Sequence, residues 1–244
     1  MRSINSVFGY AMIFIAAAVA QVSLLGLGVF LFFGAFELVA LDMGHAGKLI
    51  FNAFLSLLFF AQHSGMLRKG FRARLEKYIG TPFLGAVFTI ASGVVLLVVL
   101  IFWQQTPPLL FSAQEIGRWL MRGLYFLMIA AFAWGGWSLQ PFDPMGLSAV
   151  VNRLRGRSPA PPQLSIRGPY RWVRHPLYLF SILMIWSCPD ITADRLLFNV
   201  MWTVWIIAGA FLEERDLAAC FGEAYRQYQR NVPMLIPRTF RPVL

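Results

Sequence analysis

The chain has 244 residues, of which 58% are hydrophobic and 13% charged, with a formal net charge of +10. A soluble domain carries about 25% charged residues, so too few remain here to cover a water-facing surface of this size. The Lys and Arg sit in short loops between long apolar blocks. That placement argues against nucleic acid as their partner and points instead to membrane topology and anionic lipid heads.

A spanning helix needs about 20 largely apolar residues. Arg2 precedes an apolar run over residues 7–33. The run is longer than the apolar region of a cleaved signal, so it reads as a retained first helix. Further spanning helices are predicted over residues 49–66, 83–103 and 119–139. Two shorter runs, 177–187 and 196–212, flank a turn at Cys188-Pro189-Asp190 and read as a helical hairpin. The first of them is too short to span by itself. A helix over 213–230 is predicted to continue out of the last span, stopped by Asn231-Val232-Pro233. Cys188 and Cys220 are not expected to pair, and no Cys/His spacing signals a metal.

The loops differ in charge. Arg68, Lys69, Arg72, Arg74 and Lys77 follow the second helix. Arg153, Arg155, Arg157, Arg167, Arg171 and Arg174 follow the fourth, and Arg215, Arg226, Arg230, Arg238 and Arg241 lie in the tail. The opposite loops hold little more than Lys48, Arg118 and Arg195. The asymmetry predicts a cytoplasmic location for both termini, with six crossings if the hairpin counts as two. The fold class is therefore all-α: a polytopic membrane bundle of about five to six spanning helices, with the C-terminal hairpin, plus a cytoplasmic C-terminal helix. The whole chain reads as a single membrane domain, with residues 1–139 as a four-helix part and 140–244 as loop, hairpin and tail. In the long loop, the Pro-rich stretch 158–162 is expected to be extended.

Three constellations can carry chemistry. The run Gly168-Pro169-Tyr170-Arg171-Trp172-Val173-Arg174-His175-Pro176-Leu177-Tyr178 crowds two arginines and a histidine at the entrance of an apolar helix. Pro176 suits its first turn, and a helix N-terminus favours an anionic group. A basic anchor at the lipid heads explains Arg171 and Arg174 equally well, but requires neither His175 nor Tyr178. Next, Glu213 and Glu214 stand at the end of an apolar helix. Carboxylates there are costly unless they leave the membrane or meet cations. Third, Tyr225 and Tyr228 share a helix face, which suits either an amphipathic surface helix or a cap over a ligand. Outside this half, His63 in Gln62-His63-Ser64 is an ionisable group at a helix end, read either as functional or as a satisfied structural histidine.

In order, RGPYRWVRHPLYL, FLEERDL and FGEAYRQYQRNVPMLIP resemble the C-terminal signature of membrane methyltransferases, over roughly residues 167–237. That superfamily includes isoprenylcysteine carboxyl methyltransferases, phospholipid methyltransferases and NnrU-like proteins. Gln62-His63-Ser64 before a basic loop, and Asp143-Pro144-Met145-Gly146-Leu147, are similar to segments of the NnrU-like group, and within it the likeness is to methanethiol S-methyltransferases. Two features depart from the pattern. Phe180 stands where many members have Gly, and the Gly-x-Gly of phospholipid methyltransferases is not evident.

The resemblance implies S-adenosylmethionine as cofactor and a small thiol or other apolar nucleophile as methyl acceptor, in a lipid environment. It implies a donor site formed by Tyr170, Arg171, Arg174, His175, Pro176, Tyr178, Glu213, Glu214 and Tyr225. The carboxylates would hold the ammonium or ribose hydroxyls, and Arg171, Arg174 and His175 the carboxylate. His63, His175 and Asp143 are the catalytic candidates, and His63, His175 or a water could take the acceptor's proton. The loop 140–175 is expected to roof the site, with Asp143 facing inward. Alternatives are methylation of a lipid or prenylcysteine carboxylate, and a non-catalytic membrane protein. The charge asymmetry makes one outcome directly measurable: reporter fusions at either terminus should read as cytoplasmic, and a reporter after Arg241 accessible only from outside would reverse the orientation.

Overall fold

The computed structural model describes the chain except residues 1, 140–142, 144, 159, 160, 162, 240, 243 and 244, and of residues 2–6 only the backbone. The described residues are helical in the main, and five helices are long and apolar enough to cross a membrane. In the most apolar stretch of each, between 11% and 39% of the residues are buried, so their apolar faces point outward, where lipid rather than water suits them. The chain is an integral membrane protein. It folds as two compact units, Met1–Thr106 with Asp143–Pro161, and Pro107–Phe142 with Pro162–Leu244.

The first unit holds α1 (Arg2–Phe33), α2 (His45–Met66), α3 (Lys69–Ile79), α4 (Leu84–Phe102) and the short α6 (Ser148–Leu154). Helix α4 packs against both α1 and α2. In apolar surroundings helices associate through small residues and buried hydrogen bonds, and both occur here. A Cβ on Gly93 would lie 2.6 Å from Val19 of α1. Asn52 of α2, fully buried, exchanges two bonds with the backbone of Gln104: its Nδ2 donates to the carbonyl at 2.7 Å and its Oδ1 accepts from the N–H at 2.9 Å. Gln104 in turn donates from Nε2 to the Val39 carbonyl and accepts from the Leu41 N–H. One amide pair thus closes the end of α4 onto α2 and onto the connection before it.

The expected loop 140–175 is not wholly loop, since α6 forms within it. Asp143 accepts hydrogen bonds from the backbone N–H groups of Leu147 and Ser148, at 2.9 and 2.6 Å, satisfying donors at the start of α6. Gly146, with φ +64°, lets this segment approach α4, where Thr89 donates to the Met145 carbonyl at 2.9 Å. Residues 159, 160 and 162 of the Pro-rich stretch, and 140–142 and 144 of the expected roof, lie outside the described residues.

The second unit holds β1 (Leu109–Ser112), α5 (Glu115–Ser138), α7 (Pro176–Trp186), β2 (Asp190–Thr192), α8 (Ala193–Phe221) and α9 (Glu223–Asn231). The hairpin is present, but only α7 of its first limb is helical, and a turn and the short β2 follow it. At 1.5 Å per residue, the 11 residues of α7 rise only about 16 Å, half of the roughly 30 Å hydrocarbon core. Ser187 ends α7 in a turn, and β2, at Asp190–Thr192, pairs antiparallel with β1, Ser112 opposite Asp190. Backbone that is not helical is tolerated at depth only where protein satisfies it, and β1 supplies that partner. Asp190 receives both Nη groups of Arg118 at 2.7 Å and the Ser112 hydroxyl at 2.8 Å.

The tail departs from expectation at one residue. Helix α8 runs past both glutamates to Phe221, and Gly222, at φ +58°, ends it before α9 begins. Glycine takes that backbone conformation without steric cost. Residue Tyr225 of α9, with Tyr228 and then Val232, packs on Leu217, Phe221, Leu164 and Ile166.

The close approach of α4 to the Asp143 segment gives a stability prediction. A Cβ on Gly85 would lie 2.6 Å from the Gly146 Cα, a backbone atom, whereas one on Gly65 meets nothing within 4 Å. Gly85→Ala should lower stability by about 1–3 kcal/mol through overpacking, while Gly65→Ala should be neutral or slightly stabilising. Thermal unfolding of the two variants in detergent, side by side, checks this.

Candidate active site

Three segments converge at one end of the second unit: a 3₁₀ turn at Gly168–Arg171 leading into α7, the last two turns of α8, and α9. Gly168 permits the approach of this turn to α5, because a Cβ there would lie 2.1 Å from the Ser138 hydroxyl. Pro176 opens α7, where a missing N–H leaves nothing unsatisfied.

Glu214 organises the junction. Arg174 meets its carboxylate with two parallel bonds, Nε to Oε1 at 2.8 Å and Nη2 to Oε2 at 2.9 Å. Nε2 of His175 lies 2.7 Å from Oε1, the Tyr225 hydroxyl donates to Oε1 at 2.8 Å, and Nε2 of Gln229 donates to Oε2 at 2.5 Å. Nη1 of Arg174 donates to the carbonyls of Gln229 and Val232. The backbone N–H groups of Arg174 and His175 donate to Pro233 and Met234. One buried carboxylate thus ties the entrance of α7 to α8, α9 and the chain beyond it. The two residues expected to grip opposite ends of a ligand, Glu214 and Arg174, are engaged with each other.

Glu213, one position earlier, points elsewhere. Its side chain is 44% exposed, its Oε2 accepts from the Tyr178 hydroxyl at 2.6 Å, and Nδ1 of His175 stands 3.6 Å away. The rings of His175 and Tyr178 are stacked, 5.3 Å between centroids and 10° between planes.

These groups face a cavity of about 430 Å³. Five aromatic rings contribute to its wall: Tyr170, Tyr178, Phe221, Tyr225 and Tyr228. Leu139, Leu164, Leu177 and Leu217 add apolar surface, Gln163 and Ser165 add polar groups, and Glu213, Arg174 and His175 bring charge or a titratable ring. The phenols outside the helical spans are held protonated. Burial raises Tyr170, with the Glu213 charge adding to it. Burial also raises Tyr225, helped by its bond to Glu214, and raises Tyr228 against the opposing charge of Arg174. Tyr228 uses its proton to bond the Tyr170 carbonyl at 2.5 Å.

Of the residues singled out in sequence, Tyr170, Arg174, His175, Tyr178, Glu213 and Tyr225 line the cavity. Glu214 and Pro176 stand behind it in the wall's support, and Arg171 is exposed and outside the lining. His63 and Asp143 belong to the first unit. His63 lies between the rings of Phe59 and Phe88, at 5.3 and 4.9 Å. Gln229 was not assigned a role in sequence, although it stands four residues after Tyr225 and so shares its face. Gln163, Leu164 and Ser165 carried no signal, because they follow an irregular proline-rich stretch with no periodicity.

Glu213 and Glu214 should differ in what their loss does. Truncating one partner of a buried ion pair leaves the other charge stranded, at a cost of about 3–5 kcal/mol. Glu214→Ala should therefore lower the thermal midpoint in detergent strongly, and Glu213→Gln should leave it nearly unchanged.

The family model described as NnrU protein matches residues 52–230. The methanethiol S-methyltransferase of Pseudomonas sp. (strain GM41(2012)) is 34% identical over 77% of this chain and 72% of that protein. That of Mycobacterium tuberculosis (strain ATCC 25618 / H37Rv) is 31% identical over 82% of this chain and 81% of that protein. Nurim of Rattus norvegicus is 24% identical over 77% and 75%. No solved structure matches the chain. The chain belongs to the NnrU family, in company with these methanethiol S-methyltransferases, and is a membrane methyltransferase.

Proposed function

We propose that this protein transfers a methyl group from S-adenosylmethionine to the sulfur of a small thiol, methanethiol being the compound for which its relatives are named. The observation that carries the reading is the cavity itself, an aromatic-walled space with one accessible carboxylate. When bound, S-adenosylmethionine supplies an electrophilic methyl group on a cationic sulfur. Aromatic faces attract such cations, and Glu213 offers them a negative charge that no arginine neutralises in the contacts of this site. The purine of the donor suits the rings of Tyr170, Phe221, Tyr225 and Tyr228.

In this reading Glu214 and Arg174 hold the wall rather than the ligand, and Glu213 takes the ammonium. Transfer is an in-line displacement, so alignment and exclusion of water are the protein's main contribution. A volume of about 430 Å³ lies toward the small end of ligand sites, which favours an acceptor of few atoms over a prenyl chain or a lipid. His63 and Asp143 remain proposed catalytic residues, and Asp143→Asn and His63→Ala belong in the same set of variants.

Purified protein incubated with labelled donor and a panel of thiols, lipids and prenylcysteines tests the reading. Label should appear in the methyl thioether of a small thiol, and label found only in lipid or prenylcysteine would overturn the acceptor. Calorimetry with the demethylated donor tests the site. Glu213→Gln should weaken binding about tenfold or more, the loss of one charge-assisted hydrogen bond, and unchanged affinity would remove Glu213 from the donor's contacts.

A further inference from the structure

We infer that His175 is the proton acceptor of this site, through Nδ1, and that Glu214 is the positioning residue that fixes the required tautomer. The inference rests on the thiol reading above and deepens it. An alkane thiol is almost wholly protonated at neutral pH, so its sulfur needs to lose a proton before or as it attacks.

The geometry singles out one nitrogen. Glu214 receives Arg174 twice, Tyr225 and Gln229 on its two oxygens. A carboxylate so loaded with donors accepts and has no proton to give. The 2.7 Å contact to His175 is therefore donated by Nε2–H. Whenever the ring is neutral, the lone pair is then on Nδ1. His175 lines the cavity, and its Nδ1 stands 3.6 Å from Glu213 Oε2, beyond hydrogen-bond length. The neighbouring Tyr178 hydroxyl does not compete, because it already donates to Glu213 at 2.6 Å.

The groups that face the ring come from three helices. From α8 the ring faces Glu214 and Glu213, from α7 it is stacked on Tyr178, and from α9 Tyr225 shares Oε1 of Glu214. Arg174 is matched by Glu214. Imidazole is also a stronger base than a carboxylate toward a weakly acidic thiol. In the step, the thiol's S–H bond breaks and its proton passes to Nδ1. The thiolate sulfur forms the bond to the methyl carbon as that carbon's bond to the sulfonium breaks, with the electron pair staying on the former sulfonium sulfur. The proton then returns to water past the half-exposed Glu213.

The first test needs no ligand. With ¹⁵N-labelled histidine, two-dimensional spectra of the intact protein in detergent at alkaline pH should show His175, one of three histidines, protonated at Nε2 and bare at Nδ1. The opposite tautomer overturns the inference. The second test compares an alkane thiol with an aromatic thiol that is already ionised at neutral pH. His175→Gln should lose about a hundredfold or more on the alkane thiol, the usual contribution of a positioned base, and less than tenfold on the ionised one. Equal losses on both, or no loss on either, overturn the assignment. If the variant does not fold, wild-type pH profiles decide: an acid limb seen with the alkane thiol and not with the ionised thiol supports the base, and identical profiles exclude it. Wild-type protein that methylates neither thiol while binding the demethylated donor overturns the thiol reading, and the base with it.

Discussion

Everything around the cavity depends on how one buried carboxylate is satisfied. Glu214 sits on a helix with enough apolar length to cross a membrane, where an unpaired charge is among the costliest things a chain can carry. The fold meets that cost by bringing a guanidinium, an imidazole, a phenol and an amide to it, from the entrance of α7 and from α9. Each donor comes from an element that also lines the cavity or supports its wall. The requirement to bury one charge therefore assembles the site, and the remaining carboxylate, Glu213, is left facing the space that results. Two adjacent residues of identical chemistry acquire different duties because successive side chains on a helix point about 100° apart.

Aromatic rings serve a second purpose here. Tyr225 and Tyr228 are buried against α8 and the 164–166 segment, and their hydroxyls reach inward to Glu214 and to the Tyr170 carbonyl. Such rings present an apolar body with a polar tip. That combination lets a highly polar helix lie against an apolar one without stranding a polar atom. Gly222 makes the arrangement possible, because a continuous helix would carry the tyrosines away from α8 rather than back onto it.

Sequence made the long helices and the convergence of the two motifs legible. Apolar length marks a spanning helix whatever its neighbours are, and the costly residues at His175 and Glu213–Glu214 had to find one another or leave the membrane. The division of labour between the two glutamates was not legible. It depends on which side of α8 meets Arg174, and that is set by tertiary packing. The break at Gly222 was a visible glycine, but many helices tolerate one. The β1–β2 pair had no readable signal, because a three-residue strand has no periodicity. The segment 163–165 was invisible for the same reason. Asp143 stood out in sequence as an acid beside apolar residues, and its bonds to Leu147 and Ser148 show a local use for it that residue type alone could not reveal.

The short first limb of the hairpin has a consequence for how the chain enters a bilayer. A segment is recognised for insertion by its own apolar length, and α7, at 11 residues, offers about half of what is needed. The strand residues Asp190–Thr192 that follow it take their backbone partners from β1, which precedes α5 in the chain. The first limb therefore cannot be threaded alone. It must go in together with α8, as a folded pair delivered against a helix that is already seated, so the order of synthesis and the order of burial are bound to each other in this half of the protein.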